Sequence, residues 1–112
     1  MNTNAAINIP EALDRYFEAS NRFDATTAAA CFTPDAVVHD EGHVHKGTDA
    51  ILSWISESSE KYQPHATVIM ASEEGPKISV LARVAGNFPG SPVELTFNFQ
   101  MRDNKIVELG VQ

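Results

Sequence analysis

A chain of 112 residues with fifteen acidic and eight basic side chains carries a formal charge of −7. That length supports one domain with one modest core, and the negative balance speaks against nucleic acid or an anionic membrane surface as a partner. Cys31 is the single cysteine, so no disulfide forms within the chain, and no stretch approaches the roughly 20 apolar residues that span a bilayer.

Residues 1–10 lack both a basic n-region and an apolar h-region, so a reducing, cytoplasmic setting is expected. Residues 1–7 are expected to be disordered. Asn8-Ile9-Pro10-Glu11 reads as a helix start, with Asn8 as the cap, proline in the first turn and Glu11 three residues on. Leu13, Tyr16, Phe17 and Ser20 follow at helical spacing, which predicts an amphipathic helix to about Asn21. Asp24 is placed to cap a second, short helix over residues 25–32. Pro34 ends it by disfavouring helix in the residue before. Cys31, inside an alanine-rich run, reads as a small buried hydrophobe rather than a nucleophile.

The stretch Phe32-Thr33-Pro34-Asp35-Ala36-Val37-Val38-His39-Asp40-Glu41-Gly42-His43-Val44-His45-Lys46-Gly47 is the densest in chemistry. A strand over 36–40 turns at Gly42 and returns over 43–45. Three histidines and two carboxylates thus fall within one hairpin. Thr48 reads as the cap of a third helix to about Tyr62, with Ile51, Leu52, Trp54, Ile55, Ser58 and Tyr62 on its inner side and Pro64 as its stop.

Strands follow. Residues 66–71 make one, Glu73-Glu74-Gly75-Pro76 a turn, and 78–88 a second with Ile78, Val80, Ala82 and Val84 on one side. After a loop with two prolines, Val93, Leu95, Phe97, Phe99 and Met101 alternate with Glu94, Thr96, Asn98, Gln100 and Arg102. This predicts a half-buried strand with an aromatic inner face. Asp103-Asn104 fits a tight turn, and 106–111 is the last strand. Helices first and an antiparallel meander afterwards give an α+β domain with the helices on one face of the sheet.

This order, with Arg15-Tyr16-Phe17, Asp24, the Phe32–Val38 run, Lys46-Gly47-Thr48-Asp49-Ala50-Ile51 and Phe99-Gln100-Met101-Arg102-Asp103-Asn104-Lys105-Ile106, resembles SnoaL-like domains of the nuclear transport factor 2-like superfamily. The resemblance spans almost the whole chain. It implies a cone: three N-terminal helices held in a strongly curved, mainly antiparallel sheet, with a cavity for a small, apolar or aromatic molecule. It also implies a homodimer formed through the outer sheet face. Superfamily members include ketosteroid isomerases, polyketide cyclases, dehydratases and non-catalytic binding modules, so fold alone leaves activity open. Asp40 falls where the isomerases and cyclases keep a cavity carboxylate, and Tyr16 where the isomerases keep a tyrosine. The chain departs from the isomerases on the late strand, where Leu95-Thr96-Phe97-Asn98-Phe99 holds no second acid.

A carboxylate at a cavity wall suits proton transfer, with a histidine to orient it or to act as the acid. Strand alternation puts Asp40 with Val38 and turns His39 away, while His43 and His45 share a face. The candidate catalytic set is therefore Asp40, Tyr16, His43 and His45. The expected pocket wall is Phe17, Phe32, Val38, Trp54, Phe97, Phe99 and Met101, with no cofactor required. Two other readings stay open: a hydrogen-bonded or solvated polar hairpin, and a metal site built on His39, His43 and His45 with Asp40 and Glu41. The latter matches no helical zinc motif. Tyr16 would donate to a ligand carbonyl or reach Asp40.

Overall fold

The structure, a computed structural model, describes residues 8–112. The expectation for residues 1–7 lies outside them. Helix α1 (Glu11–Asn21) starts later than the Asn8 cap implied. Pro10 is the N-cap, extended at ψ 147°, and its carbonyl accepts from the amides of Leu13 and Asp14 at 2.9 and 3.2 Å. Asn8 lies two residues before that N-cap, outside the position from which a cap side chain reaches the first free amides.

Helix α2 (Ala25–Ala29) is capped by Asp24, whose carboxylate accepts from the Thr27 amide at 3.2 Å and the Thr27 hydroxyl at 2.7 Å. It ends three residues short of Phe32, which instead opens strand β1 (Phe32–Asp40). Pro34 therefore lies inside a strand. It is accommodated because the pairing register shifts between Phe32 and Val37, where the ladder makes no demand on a proline amide. Cys31 is buried.

Strand β2 (His43–Lys46) runs into α3 (Gly47–Tyr62) without a loop. Thr48 is not its cap: Lys46 holds that place, and Gly47 makes the corner at φ 86°. Only a glycine takes that angle without strain. The helix closes at Gln63, left-handed at φ 46°, just before Pro64.

Strands β3 (His65–Glu74), β4 (Lys77–Ala85), β5 (Val93–Arg102) and β6 (Lys105–Val111) form the meander. β4 stops at Ala85, three residues before the expected Phe88. A Cβ on Gly86 would come within 2.5 Å of the Tyr62 carbonyl oxygen, and the Asn87 amide donates to that same oxygen at 2.6 Å. The backbone is thus drawn off the sheet to the end of α3. Asp103 and Asn104 both take positive φ (50° and 60°), as a two-residue hairpin of this type requires.

The curved sheet has the order β2-β1-β6-β5-β4-β3. Every pair is antiparallel except β1 with β6, and that parallel pair joins the early hairpin to the meander. Its inner face packs on the helices. Leu13 and Ile51 from the helices meet Val38, Val80, Phe99, Ile106 and Leu109, all fully buried. Asn21 ties the end of α1 to β3 by donating to the Ala66 carbonyl at 2.9 Å and accepting from the Ala66 amide at 2.8 Å. Among the described residues no helix is long and apolar enough to cross a membrane.

Candidate functional site

A cleft of ≈ 820 Å³ opens between α1, α3 and the inner face of the sheet. Asp40 closes β1 opposite His43, and Val38 pairs with His45, so all four share one face of the hairpin. Asp40, His43 and His45 line the cleft. His39 faces the other way, where its Nε2 lies 3.0 Å from Glu108 Oε2 on β6. That separation from His43 and His45 follows directly from alternation. Among the described residues, no group of three or more His, Cys, Asp or Glu side chains stands close enough to hold a metal ion.

The half-buried Asp40 is held by α3. Trp54 donates its indole N–H to Asp40 Oδ2 at 3.0 Å, and the His45 ring lies against that indole, 5.9 Å between centroids at 31°. Trp54 reaches this place because Ile51 and Ile55, buried on the same helix, fix the rotation of α3 about its axis.

Tyr16 borders the cleft and is only 4% exposed. Its ring packs edge-on against Phe17, Phe32 and Phe99 at 5.3, 5.6 and 5.9 Å. Burial above all, then the charges of Asp40 and Cys31, pushes its hydroxyl well above the ordinary tyrosine range. The phenol therefore stays protonated and keeps its donor. No hydrogen bond joins it to Asp40, whose partner is Trp54.

The Tyr16 shift predicts an alkaline weakness. Below about pH 10, the unfolded value, both states keep the proton and the contribution is complete. Above it the unfolded chain releases the proton while Tyr16 holds it, and stability falls by at most ~1.4 kcal/mol per pH unit. Urea unfolding from about pH 8 to about pH 11 should show a steeper loss for the native protein than for Tyr16→Phe. Equal slopes would refute the assignment.

Of the expected wall, Phe17, Trp54 and Phe97 border the cleft. Phe32, Val38 and Phe99 do not; they are buried in the packed core, and Met101 packs against that core from its edge. The difference is one of depth along the cone. Phe97 and Leu95 lie toward the open end of β5 and Phe99 toward the closed end, although all three point inward. The far wall also holds Tyr62, Val84, Phe88, Val93 and Val111, none singled out from sequence as pocket residues. The helical spacing of α3 puts Tyr62 on its inner side, whereas Phe88 sits in a loop with no periodicity to mark it. Tyr62 and Phe88 meet edge to face at 6.0 Å.

Residues 13–109 match the SnoaL-like domain family. The chain belongs to that family. Among solved structures, this SnoaL-like domain is similar to a candidate polyketide cyclase from Sinorhizobium meliloti, with 38% identity over 93% of this chain and 95% of the other, at a TM-score of 0.89. A protein with a ketosteroid isomerase-like fold from Catenulispora acidiphila, solved in complex with trimethylamine, superposes at 0.83 with 18% identity, covering 94% and 86%. A nuclear transport factor 2-like protein from Cytophaga hutchinsonii gives 0.79 with 14% identity, covering 100% and 93%. The last two show a common fold only. No curated protein matches the chain.

Proposed function

We propose that this SnoaL-like domain takes a small, largely apolar carbonyl compound into the cleft and moves a proton on it, in an isomerisation, cyclisation or dehydration. The observation that carries the reading is the half-buried Asp40 carboxylate at the cleft wall, with one oxygen held by the Trp54 N–H. That bond orients the group and leaves Oδ1 free to take a proton from a carbon beside the carbonyl. Negative charge then develops on the carbonyl oxygen, and the neutral Tyr16 hydroxyl donates to it. The protonated Asp40 then gives that proton up at the new position, directly or relayed by His43 or His45, which restores its carboxylate. The likeness to a candidate polyketide cyclase supports the reaction class. The inner positions of β5 are Leu95, Phe97 and Phe99, so no second carboxylic acid assists Tyr16 as in the isomerases.

A second reading, a non-catalytic ligand pocket, draws on the same Trp54 bond, which satisfies Asp40 without any substrate. Incubation with cyclic ketones and β-dicarbonyl compounds in deuterium oxide separates the two. The enzyme reading expects deuterium beside the carbonyl faster than in buffer. Thermal stabilisation by the same compounds without exchange would leave only binding.

The proposed partner across the outer sheet face is a second copy of the chain. Met70 (60% exposed) and Val44 (55%) stand out among the large apolar side chains. In register they fall on the side opposite the helices, Met70 beside Leu81 and Thr96, and Val44 beside His39 and Gly110. Light scattering is expected to give a dimer that Met70→Asp dissociates. A native monomer would end the proposal.

A further inference from the structure

The histidines of β2 that share the Asp40 face of the hairpin have different surroundings. His43 stands directly opposite Asp40 across the β1–β2 turn and is exposed. Such cross-strand partners hold their Cβ atoms about 5 Å apart. His45 stands one inward-facing pair further on, opposite Val38, and so lies on the diagonal from Asp40, about 7 Å away. It is half-buried, and its ring is already engaged. It lies against the Trp54 indole, with 5.9 Å between centroids and 31° between planes.

Trp54 depends on that neighbour. Ile51 and Ile55 fix the rotation of α3, but they do not fix the side-chain torsions of Trp54, whose indole is only half-buried. Among the described residues the His45 ring is the one aromatic ring set against it. A flat ring against a flat ring restricts the tilt of the indole, and with it the direction of the N–H that meets Asp40 Oδ2 at 3.0 Å. A hydrogen bond weakens steeply as its angle closes, so losing the His45 ring loosens the carboxylate as well.

We infer that His45 is a positioning residue: its ring holds the Trp54 indole to Asp40, and the proton relay falls to His43 alone. This division of labour rests on the proton transfer proposed above for the cleft. The proton that Asp40 takes from the carbon passes to the neutral His43 imidazole, which restores the Asp40 carboxylate. The imidazolium then gives it up at the new carbon or to water, and His43 is neutral again.

Trp54 is the single tryptophan of the chain, so fluorescence anisotropy reports the mobility of this side chain alone. Anisotropy and the exchange of a neutral ketone in deuterium oxide are measured together for the native protein, His45→Ala, His45→Phe and His43→Ala. His45→Ala should lower the anisotropy and cut kcat by up to about 10²-fold, the cost of a misplaced reacting group, with KM held. His45→Phe, which keeps a flat ring, should recover the anisotropy and most of the rate. His43→Ala should keep the native anisotropy, lose about 10²-fold in kcat, and regain part of it with imidazole in solution. His45→Phe as slow as His45→Ala overturns the inference, because the loss then follows the nitrogens and not the ring. So does an anisotropy that His45→Ala leaves unchanged, or a native rate in His43→Ala. A native protein that exchanges no ketone overturns the proposed reaction itself, and the relay with it.

Discussion

Replacing Asp40 by asparagine is expected to slow proton exchange on a bound ketone by about 10²- to 10⁴-fold, the usual share of a positioned general base. The substitution is conservative in shape. An amide oxygen still accepts from Trp54 Nε1, now 3.0 Å from the carboxylate, so the side chain keeps its place and the cleft its outline. What disappears is an oxygen able to take a proton. Thermal melting should therefore change little while the exchange rate collapses, and the affinity for a neutral ketone should hold. Exchange rates measured under saturating ketone, by mass spectrometry, decide the matter. A variant that exchanges at the native rate removes Asp40 from the chemistry and leaves the cleft as a binding pocket.

That prediction depends on contacts which the sequence showed only in part. Alternation along 36–40 placed His39 on one face and Asp40 on the other, and the structure has His39 against Glu108 and Asp40 at the cleft. Alternation is a local property, fixed by the two-residue period of a strand. The Trp54–Asp40 hydrogen bond joins two elements, and its existence depends on how α3 is rotated against β1. No periodicity carries that information. The same holds for Phe88, which reaches the cleft because Gly86 lets the backbone approach the end of α3.

Element types were legible for the same reason, and element ends were less so. The alternation from Val93 to Arg102 has the bounds of β5, and the Asp103-Asn104 turn has the positive φ values its residue types suggest. Asn8 and Thr48 do not cap α1 and α3, whose N-caps are Pro10 and Lys46 and neither of which has a side-chain cap hydrogen bond. The alanine-rich run predicts a helix as far as Phe32, but α2 ends at Ala29. The pairing of Phe32 with Ile106 across a parallel ladder, between residues far apart in sequence, outweighs the helical preference of the alanines before it.

The aromatic residues of β5 test where core ends and cleft begins. Phe99 is 2% exposed, faces Ile78 and Leu109 in the neighbouring strands, and has Tyr16 and Phe17 edge-on at 5.9 Å. Phe97 stacks beside it at 6.3 Å but borders the cleft. Truncating Phe99 to alanine leaves an enclosed void that surrounding side chains cannot fill, and should cost about 3–5 kcal/mol. That is a large part of the ~5–15 kcal/mol that holds a domain of this kind together. Truncating Phe97 loses similar transfer energy, yet the space joins an opening that water already reaches, so the void contributes less. Urea unfolding should therefore show Phe99→Ala as clearly the more damaging change. Equal losses would mean that Phe97 is as fully enclosed as Phe99, and that the cleft stops short of the β5 ring a ligand is expected to touch.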